Sequence, residues 1–232
     1  MTGRCKTEYI VTGATGFLGG AVVRELISRG HSVTALALPG DPLLPLLPEG
    51  AIVHFGDVTD RATLIPVFEG AEGCRVILCA GMVSVAAGQG EALGRINVQG
   101  TENIAGLCLE YGAKRLVYVS SVHAIPERPM GEVITEECRV SPELVHGAYA
   151  KSKAAATKKV LLAAEKGLDA PIFERRSIRR GKKPFFTPYS ISVLGSNENF
   201  SHKKASDELG YSPRDLSDTL SDTLRWLSSL PI

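Results

Sequence analysis

The sequence lacks a strong net charge. Its 26 Lys and Arg residues are balanced by 25 Asp and Glu residues, which leaves a formal net charge of +1. A protein with an almost neutral overall field is not drawn to nucleic acid or to a membrane surface by charge alone. We therefore expect neither nucleic acid nor a membrane among its partners.

The sequence also lacks a long apolar run and an apolar leader near its N-terminus. A helix that spans a bilayer needs about 20 consecutive apolar residues, and a secretory signal needs an apolar segment after a basic start. These absences predict a chain that does not cross a membrane and that resides in the cytoplasm.

Metal-ligating and disulfide patterns are absent as well. The five cysteines are an odd number, and no two of them form a C-x-x-C pair. They are Cys5, Cys74, Cys79, Cys108 and Cys138. We expect reduced and mostly buried thiols rather than a disulfide framework or a zinc site. No H-E-x-x-H spacing is present either, so no metal site is predicted.

Glycine, in contrast, is present in a distinctive spacing after the first apolar run. The stretch reads Thr12-Gly13-Ala14-Thr15-Gly16-Phe17-Leu18-Gly19. A strand, a glycine turn and a helix in this order place a dinucleotide pyrophosphate on a helix N-terminus. Gly13 is expected to permit the tight turn, Gly16 to let phosphates approach, and Gly19 to let the helix pack closely on the sheet. The alternative is an ordinary strand-to-helix turn with surplus glycine.

Apolar runs alternate with helical patterns along the first 170 residues. Strands are predicted at 6–12, 31–38, 52–55, 76–80 and 116–119, and helices at 16–29, from Thr59 or Asp60 to about 69, at 92–111 and at 144–166. This alternation predicts an α/β fold, a Rossmann-type doubly wound parallel sheet covered on both faces. Ligands of such sheets bind beyond the carboxyl ends of the strands.

Tyr149 and Lys153 form a second candidate constellation. They are four residues apart near the start of a predicted helix, so they share one helix face. A free phenol has a pKa of about 10, and a nearby ammonium group favours the phenolate form. The pair could therefore pass a proton while a hydride moves. The alternative is two solvated side chains on a helix surface.

Two further polar residues complete the set of candidate catalytic residues. Ser121 follows a buried strand, where its hydroxyl could bond a substrate oxygen, although the neighbouring Ser120 competes for this role. Asn97 carries an amide in a helix that should pack on the sheet, and such a group needs partners. A strand-end serine that caps backbone and a surface asparagine are the simpler alternatives. His123 and His146 could also line a substrate site.

Together these motifs resemble the extended branch of the short-chain dehydrogenase/reductase superfamily, the NAD(P)-dependent epimerase/dehydratase and dihydroflavonol-reductase-like proteins. The resemblance is carried by Thr12–Gly19, Gly56–Asp60, Asn97–Thr101, Val117–Ser121 and Tyr149 with Lys153. It implies an oxidoreductase that moves a hydride between a nicotinamide and a carbonyl or secondary alcohol of a small molecule. Sugar-nucleotide epimerisation or dehydration is the alternative chemistry. A homodimer is implied by the resemblance alone.

The resemblance also implies a role for each candidate residue. Tyr149 would be the acid/base, Ser121 would polarise the substrate oxygen, and Asn97 would be the fourth catalytic member. Lys153 would hold the nicotinamide ribose and tune Tyr149. The remaining cofactor-binding residues are Gly13, Thr15, Gly16, Phe17, Leu18 and Gly19 around the pyrophosphate, Asp57 and Val58 at the adenine, and Cys79, Ala80 and Gly81 at the ribose.

The end of the second strand departs from the family pattern. An acid there would accept the ribose 2′-hydroxyl of NAD, and an Arg would favour the 2′-phosphate of NADP. Ala37 and Leu38 are neutral, and Asp41 lies beyond a Pro-Gly pair, which leaves its reach to this position open. The coenzyme is NADP or NAD, with a slight preference for NADP(H) from the resemblance to reductases.

The second departure lies after residue 170. The family normally continues with a sixth strand and a substantial substrate-binding segment, whereas here a basic stretch, Arg175–Lys183, follows almost at once. The sequence thus predicts an NAD(P)-binding domain at 1–170 and a remnant of the substrate-binding lobe at 171–232, as a short helical C-terminal extension. Because the substrate-binding lobe is shortened, a protein that binds a nucleotide without turning over a substrate is an alternative interpretation. Phosphate binding by the basic stretch is the less favoured third alternative.

Overall fold

The computed structural model describes residues 7–84, 86, 88–135, 140–173, 197 and 199–228. The described residues fall into two compact units, a larger one within 1–127 and 139–196 and a smaller one within 128–138 and 197–232. The basic stretch Arg175–Lys183 and two of the cysteines, Cys5 and Cys138, lie outside the described residues.

The larger unit is built on a sheet of six parallel strands in the order β3-β2-β1-β4-β5-β6. The strands are β1 Tyr9–Thr12, β2 Val33–Ala37, β3 Ile52–Phe55, β4 Arg75–Leu78, β5 Arg115–Val119 and β6 Ile172–Phe173. The order reverses between β1 and β4, and ligands bind at such a reversal in open α/β sheets. The predicted doubly wound parallel sheet is confirmed.

Helices follow the strands as the alternation predicted. They are α1 Phe17–Ser28, α2 Arg61–Phe68, α3 Gly90–Leu93, α4 Gly100–Glu110 and α5 Ala148–Glu165, with α6 Lys203–Leu209 and α7 Leu216–Ser228 in the smaller unit. Of Thr59 and Asp60, the two residues predicted at the start of α2, Asp60 is the N-cap: its side chain accepts a hydrogen bond from the amide of Ala62. Among the described residues, no helix is long and apolar enough to cross a membrane.

Apolar side chains of the sheet pack against helices on both faces. On one face Ile10, Val76 and Leu116 pack in a cluster that includes Leu64 of α2 and Ile104 of α4. On the other, Val11 and Val33 pack with Val23 of α1. The inner strands are therefore covered on both sides, which explains why they read as continuous apolar runs rather than as alternating ones.

Two predicted helices differ from the structure. The helix predicted at 144–166 begins only at Ala148, because Gly147 adopts a φ of +85° that no α-helix accepts. The helix predicted at 92–111 starts at Gly90 and contains a π-helical segment, Gly94–Gln99, between α3 and α4. A π segment is rare and often marks a functional region, and this one carries Asn97.

The smaller unit is held by polar contacts as well as by short helices. The Asn197 amide donates to the carbonyls of Pro129 at 2.8 Å and Glu132 at 2.7 Å. At the start of α7 the Asp215 carboxylate accepts from the Ser217 amide at 2.7 Å. Three leucines of α7, Leu216, Leu220 and Leu224, are exposed.

Candidate active site

The glycine turn after β1 is the first component of the site. Gly13 has a φ of +63°, and a Cβ on it would lie 2.8 Å from the backbone nitrogen of Ala80. A Cβ on Gly19 would lie 2.0 Å from the carbonyl oxygen of Gly13. The close approach that Gly19 permits is thus between α1 and the turn itself. The expected tight turn at Gly13 is confirmed, and it brings the ends of β1 and β4 together.

The N-terminus of α1 faces the same end of the sheet. Gly16 is the N-cap residue and contributes no capping side chain. The first amides of an α-helix have no partner within the helix, so those of Phe17 and Leu18 are placed where an anion would be bound. Phe17 itself is 85% exposed. This arrangement fits a pyrophosphate cradle.

Asp41 reaches the glycine turn, a contact that the sequence left open. Its Oδ2 accepts a hydrogen bond from the Thr15 hydroxyl at 2.6 Å, and its Oδ1 accepts from the amide of Leu43 at 2.9 Å. The proline-rich loop after β2 therefore turns back over the start of α1. This places a carboxylate beside one of the predicted cofactor-binding residues.

The residues predicted at the adenine lie after β3. The Asp57 carboxylate accepts from both the amide and the hydroxyl of Thr59, at 2.8 and 2.9 Å. The Val58 side chain packs on α4, because a Cβ on Gly100 would lie 2.7 Å from Val58 Cγ2. Asp57 thus holds its own turn, and Gly100 lets Val58 seat against the helix.

The loop after β4 joins the glycine turn to the predicted catalytic residues. The amide of Ala80 donates to the Thr12 hydroxyl at 3.2 Å. A Cβ on Gly81 would lie 3.3 Å from Asn97 Oδ1 and 3.4 Å from Lys153 Nζ. Cys79, Ala80 and Gly81 therefore run between the pyrophosphate cradle and Lys153, along the edge where the resemblance places a ribose.

The side-chain amide of Asn97 holds this loop through both its oxygen and its nitrogen. Its Oδ1 accepts from the Met82 amide at 2.7 Å, and its Nδ2 donates to the Met82 carbonyl at 2.9 Å and to the Ser152 hydroxyl at 2.9 Å. Ser152 in turn donates to the Tyr149 carbonyl at 2.7 Å. Both amide hydrogens are used, so Asn97 ties the loop after β4 to α5. Ser152 was not singled out from the sequence.

The structure separates the two candidate serines. The Ser120 hydroxyl is buried 2.7 Å from the hydroxyl of Thr157 on α5. The Ser121 hydroxyl accepts from the His123 amide at 3.3 Å. The His123 ring packs edge to face against Tyr149, with 6.2 Å between the centroids. Ser121 is therefore linked to Tyr149 through His123, whereas His146 is exposed.

Tyr149 and Lys153 lie one turn apart on α5, and each is 6% exposed. The Lys153 ammonium donates to the Val119 carbonyl at 2.9 Å and lies 5.1 Å from the centroid of the Tyr118 ring. Burial lowers the pKa of Lys153 to about 8. The two side chains are thus set into the fold and are not solvated on a helix surface.

We expect Lys153→Met to stabilise the protein at pH 7. The lowering of the Lys153 pKa from 10.5 to about 8 corresponds to a cost of about 3 kcal/mol for the buried charge. Loss of the donor to Val119 and of the ammonium contact with the Tyr118 ring offsets about 2 kcal/mol of this, which leaves a net gain of about 1 kcal/mol. Urea unfolding at fixed pH measures the difference.

The gain is expected to shrink as the pH rises through 8 toward 10.5. In that window the unfolded chain still binds the Lys153 proton while the folded chain has released it, so the wild type gains stability with pH and the variant does not. Lys151→Met, at an exposed position on the same helix, is the matched control. A gain of the same size at pH 7 and pH 10 would contradict the assignment of a buried charge.

The model of the NAD dependent epimerase/dehydratase family matches residues 9–174, which include every residue of the site described above. The chain belongs to this family. It is 34% identical over 171 residues to sterol demethylase protein B of Methylococcus capsulatus, which covers 73% of this chain and 51% of that one. It is 32% identical over 163 residues to a 2-alkyl-3-oxoalkanoate reductase of Stenotrophomonas maltophilia, covering 69% and 48%.

Solved structures agree with this family membership. The UDP-glucose 4-epimerase of Thermus thermophilus, in a complex with NAD, superposes with a TM-score of 0.64 at 27% identity, covering 72% of this chain and 54% of that one. The chain therefore spans about half the length of the epimerase/dehydratase family members that it matches. The resemblance inferred from the motifs is confirmed at the level of family and fold.

Proposed function

We propose that this chain is an NAD(P)-dependent oxidoreductase that acts on a carbonyl or secondary alcohol of a small molecule. The observation that carries the proposal is the burial of Tyr149 and Lys153 on one face of α5, with Lys153 directly beside the loop after β4. A protein that only bound a nucleotide would have no use for a tyrosine and a lysine buried together at this edge. Family members of the reductase type support the assignment.

The residues present fit a dinucleotide. The lack of a Cβ at Gly13 and Gly81 lets the glycine turn approach Ala80 and lets the loop after β4 approach Asn97 and Lys153. The N-terminus of α1 has no capping side chain, because Gly16 is its N-cap residue. Gly13, Thr15, Gly16 and the amides of α1 would hold the pyrophosphate, with Asp57 and Val58 at the adenine and Cys79, Ala80 and Gly81 at the ribose. When bound, the coenzyme supplies or takes up the hydride.

The side chains of this protein would manage the proton. In the direction of reduction, the Tyr149 hydroxyl gives its proton to the substrate oxygen as the carbonyl carbon gains the hydride, and the phenolate then recovers a proton from solvent. Ser121 donates a hydrogen bond to the same oxygen. The Lys153 ammonium stabilises the phenolate by its charge and holds the ribose. Asn97 and Ser152 keep these groups in register through the loop and the start of α5.

The first test is a fluorescence titration of the chain with NADH and with NADPH. Gly16→Asp should weaken binding more than about tenfold, because it puts a negative charge at the phosphate site. The variant should fold, since Asp is a favoured N-cap residue. Gly16→Ser adds an uncharged side chain at the same position and separates the effect of bulk from that of charge. It should bind more weakly than the wild type and more tightly than Gly16→Asp.

Hydride transfer is then measured with a panel of aldehydes, ketones and 3-oxoacyl compounds. Turnover of at least one carbonyl substrate is expected. Folded protein that binds neither coenzyme would refute the proposal.

The half-length match favours one second candidate, a nucleotide-binding protein without turnover. In this case the titration would show saturable binding that Gly16→Asp abolishes, and no carbonyl would be reduced. Homodimer formation, which the family resemblance implies, remains a prediction that sedimentation of the same sample would check.

A further inference from the structure

The carboxylate of Asp41 occupies a position that no feature of the sequence pattern assigned to it. The loop after β2 contains four prolines and turns Asp41 back over the glycine turn, where Oδ2 lies 2.6 Å from the Thr15 hydroxyl. The hydrogen bonds from Thr15 and Leu43 hold the pKa of the Asp41 carboxyl below its ordinary value, so the group stays ionised at neutral pH. A carboxylate offers about four acceptor sites, and two contacts leave capacity for a further donor.

The residues on either side of Asp41 in the sequence carry no positive charge. Residues 33–53, which include β2 and the loop, contain no Lys, Arg or His. The position directly after β2 is taken by Leu38, which is neutral and 52% exposed. A 2′-phosphate at this end of the sheet would therefore meet the charge of Asp41 with no cation from this stretch to compensate for it.

We propose that Asp41 makes the chain selective for NAD(H) over NADP(H), by accepting a hydrogen bond from the adenosine ribose 2′-hydroxyl and repelling a 2′-phosphate. This inference rests on the proposed function. It opposes the slight preference for NADP(H) that the resemblance to reductases suggested. Asp41 lies four residues beyond Ala37, the last residue of β2. The usual position for an acid, directly after the strand, is neutral here, and the carboxylate comes from the following loop instead.

The test compares the dissociation constants of NADH and NADPH for the full chain and three variants. The wild type is expected to bind NADH at least about fivefold more tightly, since like charges at close range repel even near water. Asp41→Asn keeps the shape and removes the charge, so the ratio should fall below about threefold, mainly through tighter NADPH binding. Asp41→Arg should invert the preference.

Glu49→Gln is the matched control, because it removes an exposed acid from the same loop without touching Thr15. Its ratio should equal that of the wild type. Raising the salt concentration should reduce the wild-type ratio of the NADPH dissociation constant to the NADH dissociation constant, because salt screens the charge of Asp41. The same ratio for Asp41→Asn should not change.

A wild type that prefers NADPH, or a ratio that Asp41→Asn does not change, would overturn the role of Asp41 and leave the proposed function intact. Failure of the folded wild type to bind either coenzyme would overturn both. Circular dichroism of each variant confirms that it is folded before the ratio is interpreted.

Discussion

Gly19→Ala is expected to destabilise the protein by more than about 4 kcal/mol, a large part of the total stability of an ordinary domain. The added Cβ would lie 2.0 Å from the carbonyl oxygen and 2.7 Å from the carbonyl carbon of Gly13. These are backbone atoms of the glycine turn, in which the Gly13 carbonyl also accepts from the Gly16 amide at 3.0 Å, so they cannot move aside as the end of a flexible side chain could. Relief would require α1 to move away from β1.

Gly20→Ala is the matched control at the adjacent helix position. Its Cβ would lie 3.3 Å from the Ala14 carbonyl oxygen, a contact that needs a shift of only a few tenths of an ångström. Alanine is also favoured over glycine in a helix by about 0.5–1 kcal/mol. Gly20→Ala should therefore stay within about 1 kcal/mol of the wild type in urea unfolding. Equal losses for both variants would show that the turn is not packed as described.

Tyr149→Phe is expected to lower the rate of hydride transfer by about 10²- to 10⁴-fold, the usual contribution of a positioned acid or base. The ring stays in place against His123, so coenzyme affinity should change by no more than about threefold. The measurement is the single-turnover rate of coenzyme oxidation with whichever carbonyl the panel yields. A parallel fluorescence titration gives the affinity.

Tyr111→Phe removes a hydroxyl at the C-terminal end of α4, away from the site, and should leave both the rate and the affinity unchanged. A Tyr149→Phe variant that turns over at the wild-type rate would remove Tyr149 from the chemistry. A variant that loses rate and coenzyme affinity in equal measure would make Tyr149 a binding residue and not the proton donor.

Local patterns predicted the strands and the glycine turn well because their causes are local. The four residues of β3, Ile52–Phe55, were predicted at both ends, since a Gly and a Pro-rich loop bound them. The start of α5 was placed four residues too early because the apolar spacing continues through 144–147. Only the positive φ of Gly147 shows where helical geometry becomes impossible.

The roles of polar residues depended on contacts that no local pattern contains. Ser120 and Ser121 are adjacent at the end of a strand, and successive side chains of a strand point to opposite faces. Only the packed helix α5 shows that Ser120 is the serine whose hydroxyl contacts Thr157. Asp41 was equally ambiguous, because the path of a proline-rich loop is set by where its ends are held. Ser152 gains its importance solely from the distant amide of Asn97.

The hydrogen bond between Thr12 and Ala80 has a consequence for the order in which the chain can fold. It joins residues 68 positions apart in sequence. Ala80 also lies so close to Gly13 that a Cβ on Gly13 would be 2.8 Å from its backbone nitrogen. Closing so large a loop is slow compared with local helix formation. A nascent chain that ends before β4 would contain β1, the glycine turn and α1 in full, yet would have no enclosed cradle. Affinity for a nucleotide should therefore arise abruptly during synthesis, when β4 docks beside β1.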